Sequence, residues 1–264
     1  MELTFDGARF DVLDEGSGPA IVLLHGFLLA KETWDAQART LTERARVVRF
    51  DLRGLGRSSV TPGPYLLETL AADVAAVLDA LDIERAVVVG HSLGAYVTFA
   101  FYRMFAERCR GLGIVTSRAT ADDAAVANAR LELADRAESL GIEPVVEAYL
   151  PRYFGPEIYT ERPERVERAR AIAAATDPRG AAAMLRGIAA RVSSTDLLEE
   201  IDVPVRLVAG AHDTFIELAE MQLIAAAVPG ARLDVLDCGH FPLWEAPRAV
   251  DEALAGLLEA SVKN

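Results

Sequence analysis

The chain has 264 residues, 52% of them apolar and 25% charged, a composition that excludes a disordered polymer and fits a soluble globular protein. Its formal net charge of −13 argues against nucleic acid or an anionic membrane surface as a partner, because both are held by an excess of lysine and arginine. The two cysteines, Cys109 and Cys238, have neither metal-ligand spacing nor the density of a disulfide framework, so both are expected to be free thiols.

Residues 2–15 alternate and turn at Asp6-Gly7, the pattern of an antiparallel hairpin at a sheet edge. The segment from Met1 to Asp6 has no basic run or signal-length apolar stretch, and no window approaches about 18 uninterrupted apolar residues, so a cytoplasmic location is expected. Strands and helices then alternate. Apolar runs at 21–24, 47–50, 86–89 and 112–115 read as buried strands, with helices at 33–44, at 66–81 and from residue 93. Strands at 205–209 and 233–236, a helix near 217–228 and a last helix from Arg248 complete the series. This order predicts an α/β fold with a mostly parallel, doubly wound sheet of eight strands.

The alternation stops in the middle of the chain. Residues 117–202 carry Ala-rich and Arg/Glu-rich segments at helical spacing, broken near Gly141, Pro151, Pro156, Pro163 and Pro178, and read as a helical cap inserted into a core made of 1–116 and 203–264. Tyr149, Tyr153, Phe154 and Tyr159 concentrate aromatics there, and Tyr149 and Tyr153 are candidates for a pocket roof.

Gly90-His91-Ser92-Leu93-Gly94 directly follows the apolar run 86–89 and leads into a helix-compatible stretch, which puts Ser92 at a strand-to-helix elbow. A serine hydroxyl is a weak nucleophile until a base takes its proton, and the base needs an acid to fix its tautomer. His240 and Asp213 each stand just past a predicted strand, giving the chain order serine, aspartate, histidine expected of such an elbow. Asp237, Asp122 and Asp123 are the alternative acids. Backbone amides of Leu93 and of Phe27, with Leu28 as second choice, are the expected donors to an oxyanion. Leu28, Tyr96 and Trp244 suggest an apolar pocket floor and a small, largely apolar substrate. His25, His91 and His212 also follow strands, but no pair has ligand spacing, so no metal and no cofactor are expected.

Together with His25-Gly26-Phe27, Trp34, the segment Asp51-Leu52-Arg53-Gly54-Leu55-Gly56-Arg57-Ser58, Gly210 to Asp213 and Gly239-His240, these motifs resemble the α/β-hydrolase fold superfamily. The resemblance spans nearly the whole core and is to small lid-bearing serine hydrolases: 3-oxoadipate enol-lactonases, carboxylesterases and cofactor-free haloperoxidase-like hydrolases. It implies a Ser-His-Asp triad that cleaves a small carboxylic ester or lactone through an acyl-enzyme, in a monomer or homodimer. Such proteins often carry a proline shortly after the acid, where this chain has Thr214-Phe215-Ile216. A carbon–carbon bond hydrolase or lyase using the same triad, and a ligand-sensing protein of the same fold, are the competing readings.

Overall fold

The structure is a computed structural model and describes residues 1–262. Strands β1 (Glu2–Phe5) and β2 (Ala8–Gly16) form the amino-terminal hairpin, followed by β3 (Ala20–Leu24), helix α1 (Asp35–Leu41) and β4 (Arg46–Phe50). Next come α2 (Leu67–Ala80), β5 (Ala86–His91), α3 (Leu93–Phe105) and β6 (Cys109–Val115). Five helices follow: α4 (Ala124–Leu140), α5 (Glu143–Tyr149), α6 (Ile158–Glu161), α7 (Pro163–Ala174) and α8 (Pro178–Ala189). The alternation resumes with β7 (Val205–Gly210), α9 (Leu218–Ala227), β8 (Arg232–Leu236), α10 (Pro242–Glu245) and α11 (Pro247–Val262). No helix among the described residues is long and apolar enough to cross a membrane.

One eight-stranded sheet results, in the order β1-β2-β4-β3-β5-β6-β7-β8, antiparallel at β1-β2-β4 and parallel from β4 onward. Parallel neighbours must be joined by crossovers that lie on the sheet faces, so the central strands are covered on both sides. Every residue of β3 and β5 is buried, which is why these two read as unbroken apolar runs. Spatial order departs from chain order at β3, which lies between β4 and β5. The chain leaves β3 toward one edge and later returns to the other side of it, and this reversal opens a crevice beyond the carboxyl ends of β3 and β5.

Two elements differ from their sequence patterns. The helix expected at 33–44 is shorter, because Lys31–Trp34 form a 3₁₀ turn closed by the Thr33 hydroxyl on the Ala30 carbonyl at 2.7 Å. β6 begins at Cys109, before the apolar run, because Cys109 and Gly111 pair with Ala86 and Val87 across a register shift.

Between β6 and β7 the described residues contain no strand. The predicted breaks fall at helix boundaries: Gly141 follows α4 with φ 88°, and Pro163 and Pro178 open α7 and α8, where a missing N–H costs nothing. Helix α8 seats this insertion on the core. A methyl group on Gly180 would lie 2.1 Å from the Gly54 carbonyl oxygen and one on Gly187 1.7 Å from that of Tyr65, so only glycine permits the approach.

Candidate active site

Ser92 joins β5 to α3 with φ 52° and ψ −111°, a backbone region that non-glycine residues rarely occupy. Its surroundings hold it there. The Ser92 N–H donates to the Val115 carbonyl at 2.9 Å, and its own carbonyl accepts from Ser117 Oγ at 3.0 Å. The flanking glycines are sterically required: a methyl on Gly90 would meet the Gly94 carbonyl carbon at 2.0 Å, and one on Gly94 the Leu24 oxygen at 2.4 Å. A tight elbow of this kind leaves the serine side chain nowhere to go except the cavity above the sheet, where Ser92 and His240 both form part of the wall.

His240 and Asp213 come from the loops after β8 and β7, and adjacency of those two strands brings them together. His240 Nδ1 lies 2.7 Å from Asp213 Oδ2, and both side chains are almost fully buried. A carboxylate can only accept, so Nδ1 carries a proton, and it is Nε2 that holds the lone pair in the neutral ring. The other Asp213 oxygen accepts from the amides of Phe215 at 2.7 Å and Ile216 at 3.0 Å. Burial alone would raise this carboxyl, but His240 and the two amides outweigh it and hold Asp213 below the usual carboxylate range.

The backbone of His240 is fixed as firmly as its ring. Its carbonyl accepts from His91 Nε2 at 2.8 Å and from Thr116 Oγ1 at 3.0 Å. Nε2 of His91 must therefore be protonated, and burial drives the His91 pKa down to about 3, so this ring is a neutral spacer. Glu245 on α10 ties the same loop to the inserted helices, accepting from the Gly155 amide at 2.8 Å, from that of Gly239 at 3.1 Å and from that of Phe241 at 3.2 Å.

The remaining two histidines, expected to bond within their own loops, also tie those loops to neighbouring ones. His25 donates from Nδ1 to the Gly26 carbonyl at 2.8 Å and accepts the Leu52 amide at Nε2 at 2.9 Å, while His212 meets Asp237 at 2.7 Å on the surface. Asp237 is thus engaged away from His240. Asp122 is bound by Arg130 and Arg191, and Asp123 caps α4 through the Val126 amide.

The cavity is narrow, about 40 Å³, room for the centres of a few water molecules. Phe27 and Leu93 line it, and the amides of both are without a protein acceptor among the described residues. Tyr96 also lines it, and the insertion supplies Tyr149, Tyr153, Arg130 and Ile188. Two expected pocket residues lie elsewhere. Leu28 is wholly buried with φ 54°, turned under the loop so that Leu29 takes the wall position. Trp244 stacks on Phe241 at 4.7 Å and donates its indole N–H to the Thr33 carbonyl at 3.0 Å, packing α10 onto the core.

Residue types alone also miss several wall positions. Phe215 sits 4.9 Å from the His240 ring, and Arg118 and Arg130 bring charge to a pocket that sequence suggests is apolar. Arg118 follows β6 as Ser92 follows β5, and that strand-end position is the signal that could have found it. Arg130 lies inside a helix of mixed polarity and carries no such signal.

A family model described as alpha/beta hydrolase fold matches residues 19–247. Among curated proteins, a 3-oxoadipate enol-lactonase of Acinetobacter baylyi is 27% identical over 95% of this chain and 92% of its own length. Among solved structures, a thermophilic esterase from Thermogutta terrifontis superposes with a TM-score of 0.94 at 32% identity, covering 98% of this chain and 97% of that one. The enol-lactonase from Burkholderia xenovorans reaches 0.92 at 27% identity, covering 98% and 100%. The chain belongs to the α/β hydrolase fold family.

Proposed function

We propose that the protein hydrolyses small carboxylic esters or lactones, with Ser92 as nucleophile, His240 as general base and then acid, and Asp213 as the carboxylate that orients it. The observation that carries this reading is the 2.7 Å bond from His240 Nδ1 to Asp213, which leaves Nε2 free to accept a proton beside a serine held on a strained elbow. Similarity to an esterase and to enol-lactonases supports the substrate class.

In this mechanism Ser92 Oγ attacks the carbonyl carbon as its proton passes to His240. The charge that develops on the carbonyl oxygen is met by the amides of Leu93 and Phe27, each such donor being worth about 3 kcal/mol in the transition state. Collapse of the tetrahedral species breaks the ester C–O bond, and His240 returns the proton to the departing oxygen. A lactone's alcohol stays tethered to its acyl group, so the cavity must hold both until water resolves the acyl-enzyme by the same route. Neither step requires a cofactor.

The test is hydrolysis of a panel of 4-nitrophenyl esters and simple lactones by wild type and by Ser92→Ala. Loss of activity by about 10³-fold or more in the variant is the expected result. Equal activity in both proteins would remove Ser92 from the mechanism, and no activity in either would favour a ligand-sensing role.

A further inference from the structure

Although the chain as a whole is acidic, the side of the cavity nearest α4 and α5 is cationic. Arg118, Arg130, Tyr149 and Phe215 line both the Ser92 cavity and a second, outer cavity against those helices, so the two share a wall. Arg152 lines the outer one, with its guanidinium 3.9 Å over the Phe215 ring. Arg191 lies behind them, 4.3 Å over Tyr96. Among the described residues the carboxylate that forms salt bridges within this set of four guanidinium groups is Asp122, and it is shared between two of the four. Asp122 binds Arg130 at 2.7 Å and Arg191 at 2.6 Å, and Asp213 binds His240. Among the described residues Arg118 and Arg152 form no salt bridge. Each spends a nitrogen on a backbone carbonyl, Arg118 on Phe215 at 2.7 Å and Arg152 on Thr214. Arg118 Nε is buried with no hydrogen-bond partner at all.

A buried N–H without an acceptor, on a cation without a counter-ion, is an arrangement that folding penalises and that binding an anion relieves. We propose that Arg118, with Arg130 and Arg152 around it, forms a carboxylate subsite, and that the substrate is an ester or lactone bearing its own carboxylate. This rests on the hydrolase reading above. A planar carboxylate can accept from the guanidinium fork in two parallel bonds, which a neutral group cannot match. The rings of Phe27, Tyr149 and Phe215 form apolar walls beside it, excluding water and strengthening the ion pair. Burial and the neighbouring guanidinium groups of Arg118 and Arg130 hold the Arg152 pKa below its ordinary value, in keeping with positive charge that lacks a partner.

The experiment compares two matched pairs: mono-4-nitrophenyl glutarate with 4-nitrophenyl pentanoate, and 4-acetoxybenzoate with its methyl ester. The first pair places the carboxylate on the acyl side, the second on the alcohol side. In at least one pair the anionic member should have the higher kcat/KM by about tenfold or more, a ratio that Arg118→Met largely abolishes and Arg118→Lys largely keeps. A neutral ester equal to or better than its partner in both pairs overturns the proposal, as does a preference that survives Arg118→Met. Thermal stabilisation by glutarate, compared with glutaramide, reads the subsite without turnover. If neither these four esters nor the esters and lactones of the panel above are cleaved, the hydrolase reading fails. Stabilisation by glutarate that disappears in Arg118→Met would then still sustain the anion subsite, and its absence in wild type would remove the subsite too.

Discussion

Tyr153 Oη donates a 2.7 Å hydrogen bond to the carbonyl oxygen of Phe27, joining the inserted helices to the loop that lines the Ser92 cavity. Both residues are buried, and burial pushes the Tyr153 phenol well above its ordinary pKa, so it remains a donor throughout the working pH range. Tyr153→Phe would keep the ring contacts with Phe215 and His240 and remove only the donor. Leaving the carbonyl unpaired costs about 1 to 3 kcal/mol, which lowers Tm by a few degrees. With the Phe27 amide in its proposed role as oxyanion donor, the loop also loses preorganisation, so kcat should fall about tenfold with little change in KM. A lower Tm with unchanged kcat would reduce this bond to a structural clamp.

The bond between Asp213 and His240 makes a second, pH-dependent prediction. Folding lowers the Asp213 pKa, so its carboxylate stabilises the protein above the unfolded value of about 3.9, and that stability is lost as pH falls through the folded value. Asp213→Asn removes the ionised partner. The stability gap between wild type and variant should therefore be present at neutral pH and shrink below about pH 4, as read by urea unfolding at a series of pH values. Activity should fall about 10⁴-fold, since an amide does not hold the imidazole in the required tautomer. A gap of constant size down to pH 3 would mean that ionisation of Asp213 contributes nothing.

Ser92 predicts an opposition between stability and activity. With φ 52° and ψ −111° it carries strain of about 1 to 3 kcal/mol, and replacing it by glycine relieves that strain at a chain-entropy cost of about 0.4 to 1 kcal/mol. Ser92→Ala retains the Cβ and with it the strain. Ser92→Gly should therefore melt higher than Ser92→Ala while both are inactive. Equal melting temperatures would limit the strain at the elbow to the chain-entropy cost, about 0.4 to 1 kcal/mol, and a lower one for Ser92→Gly would place it below that.

The proposed site residues that sequence points to share one property. Ser92, Asp213, His240 and Phe27 each lie within a few positions of a strand's carboxyl end, and a parallel sheet gathers all such ends on one side. The strands themselves were legible because full burial forces continuous apolar runs, as in β3 and β5. Side-chain direction was not legible in the same way. Leu28 and Leu29 are the same residue type one position apart, and only the positive φ of Leu28 decides which of them reaches the cavity. Trp244 looks like a pocket aromatic by composition, but the turn into α10 points it at Thr33. Arg130 and Ile188 are set by how α4 and α8 pack on each other and on the core, a tertiary choice that helical periodicity leaves open.

That packing can be tested at Gly187, which stands two helical turns from Gly180 on the face of α8 that touches the core. Its Cα approaches the Tyr65 carbonyl so closely that an added methyl would lie 1.7 Å from the oxygen, a clash with backbone that no rotamer change can relieve. Gly187→Ala must therefore lift the carboxyl-terminal half of α8, and with it Ile188, which lines the cavity. Overpacking of this kind costs about 1 to 3 kcal/mol. The loops that carry Ser92, Asp213 and His240 lie on the sheet side and keep their own bonds, so the main kinetic effect should be a several-fold rise in KM, with kcat less affected. Gly141→Ala is the control, because an added methyl there meets nothing within 4 Å, and its φ of 88° makes it a test of backbone strain alone. If Gly187→Ala left both Tm and KM at wild-type values, α8 would not be the element that seats the insertion over the cavity.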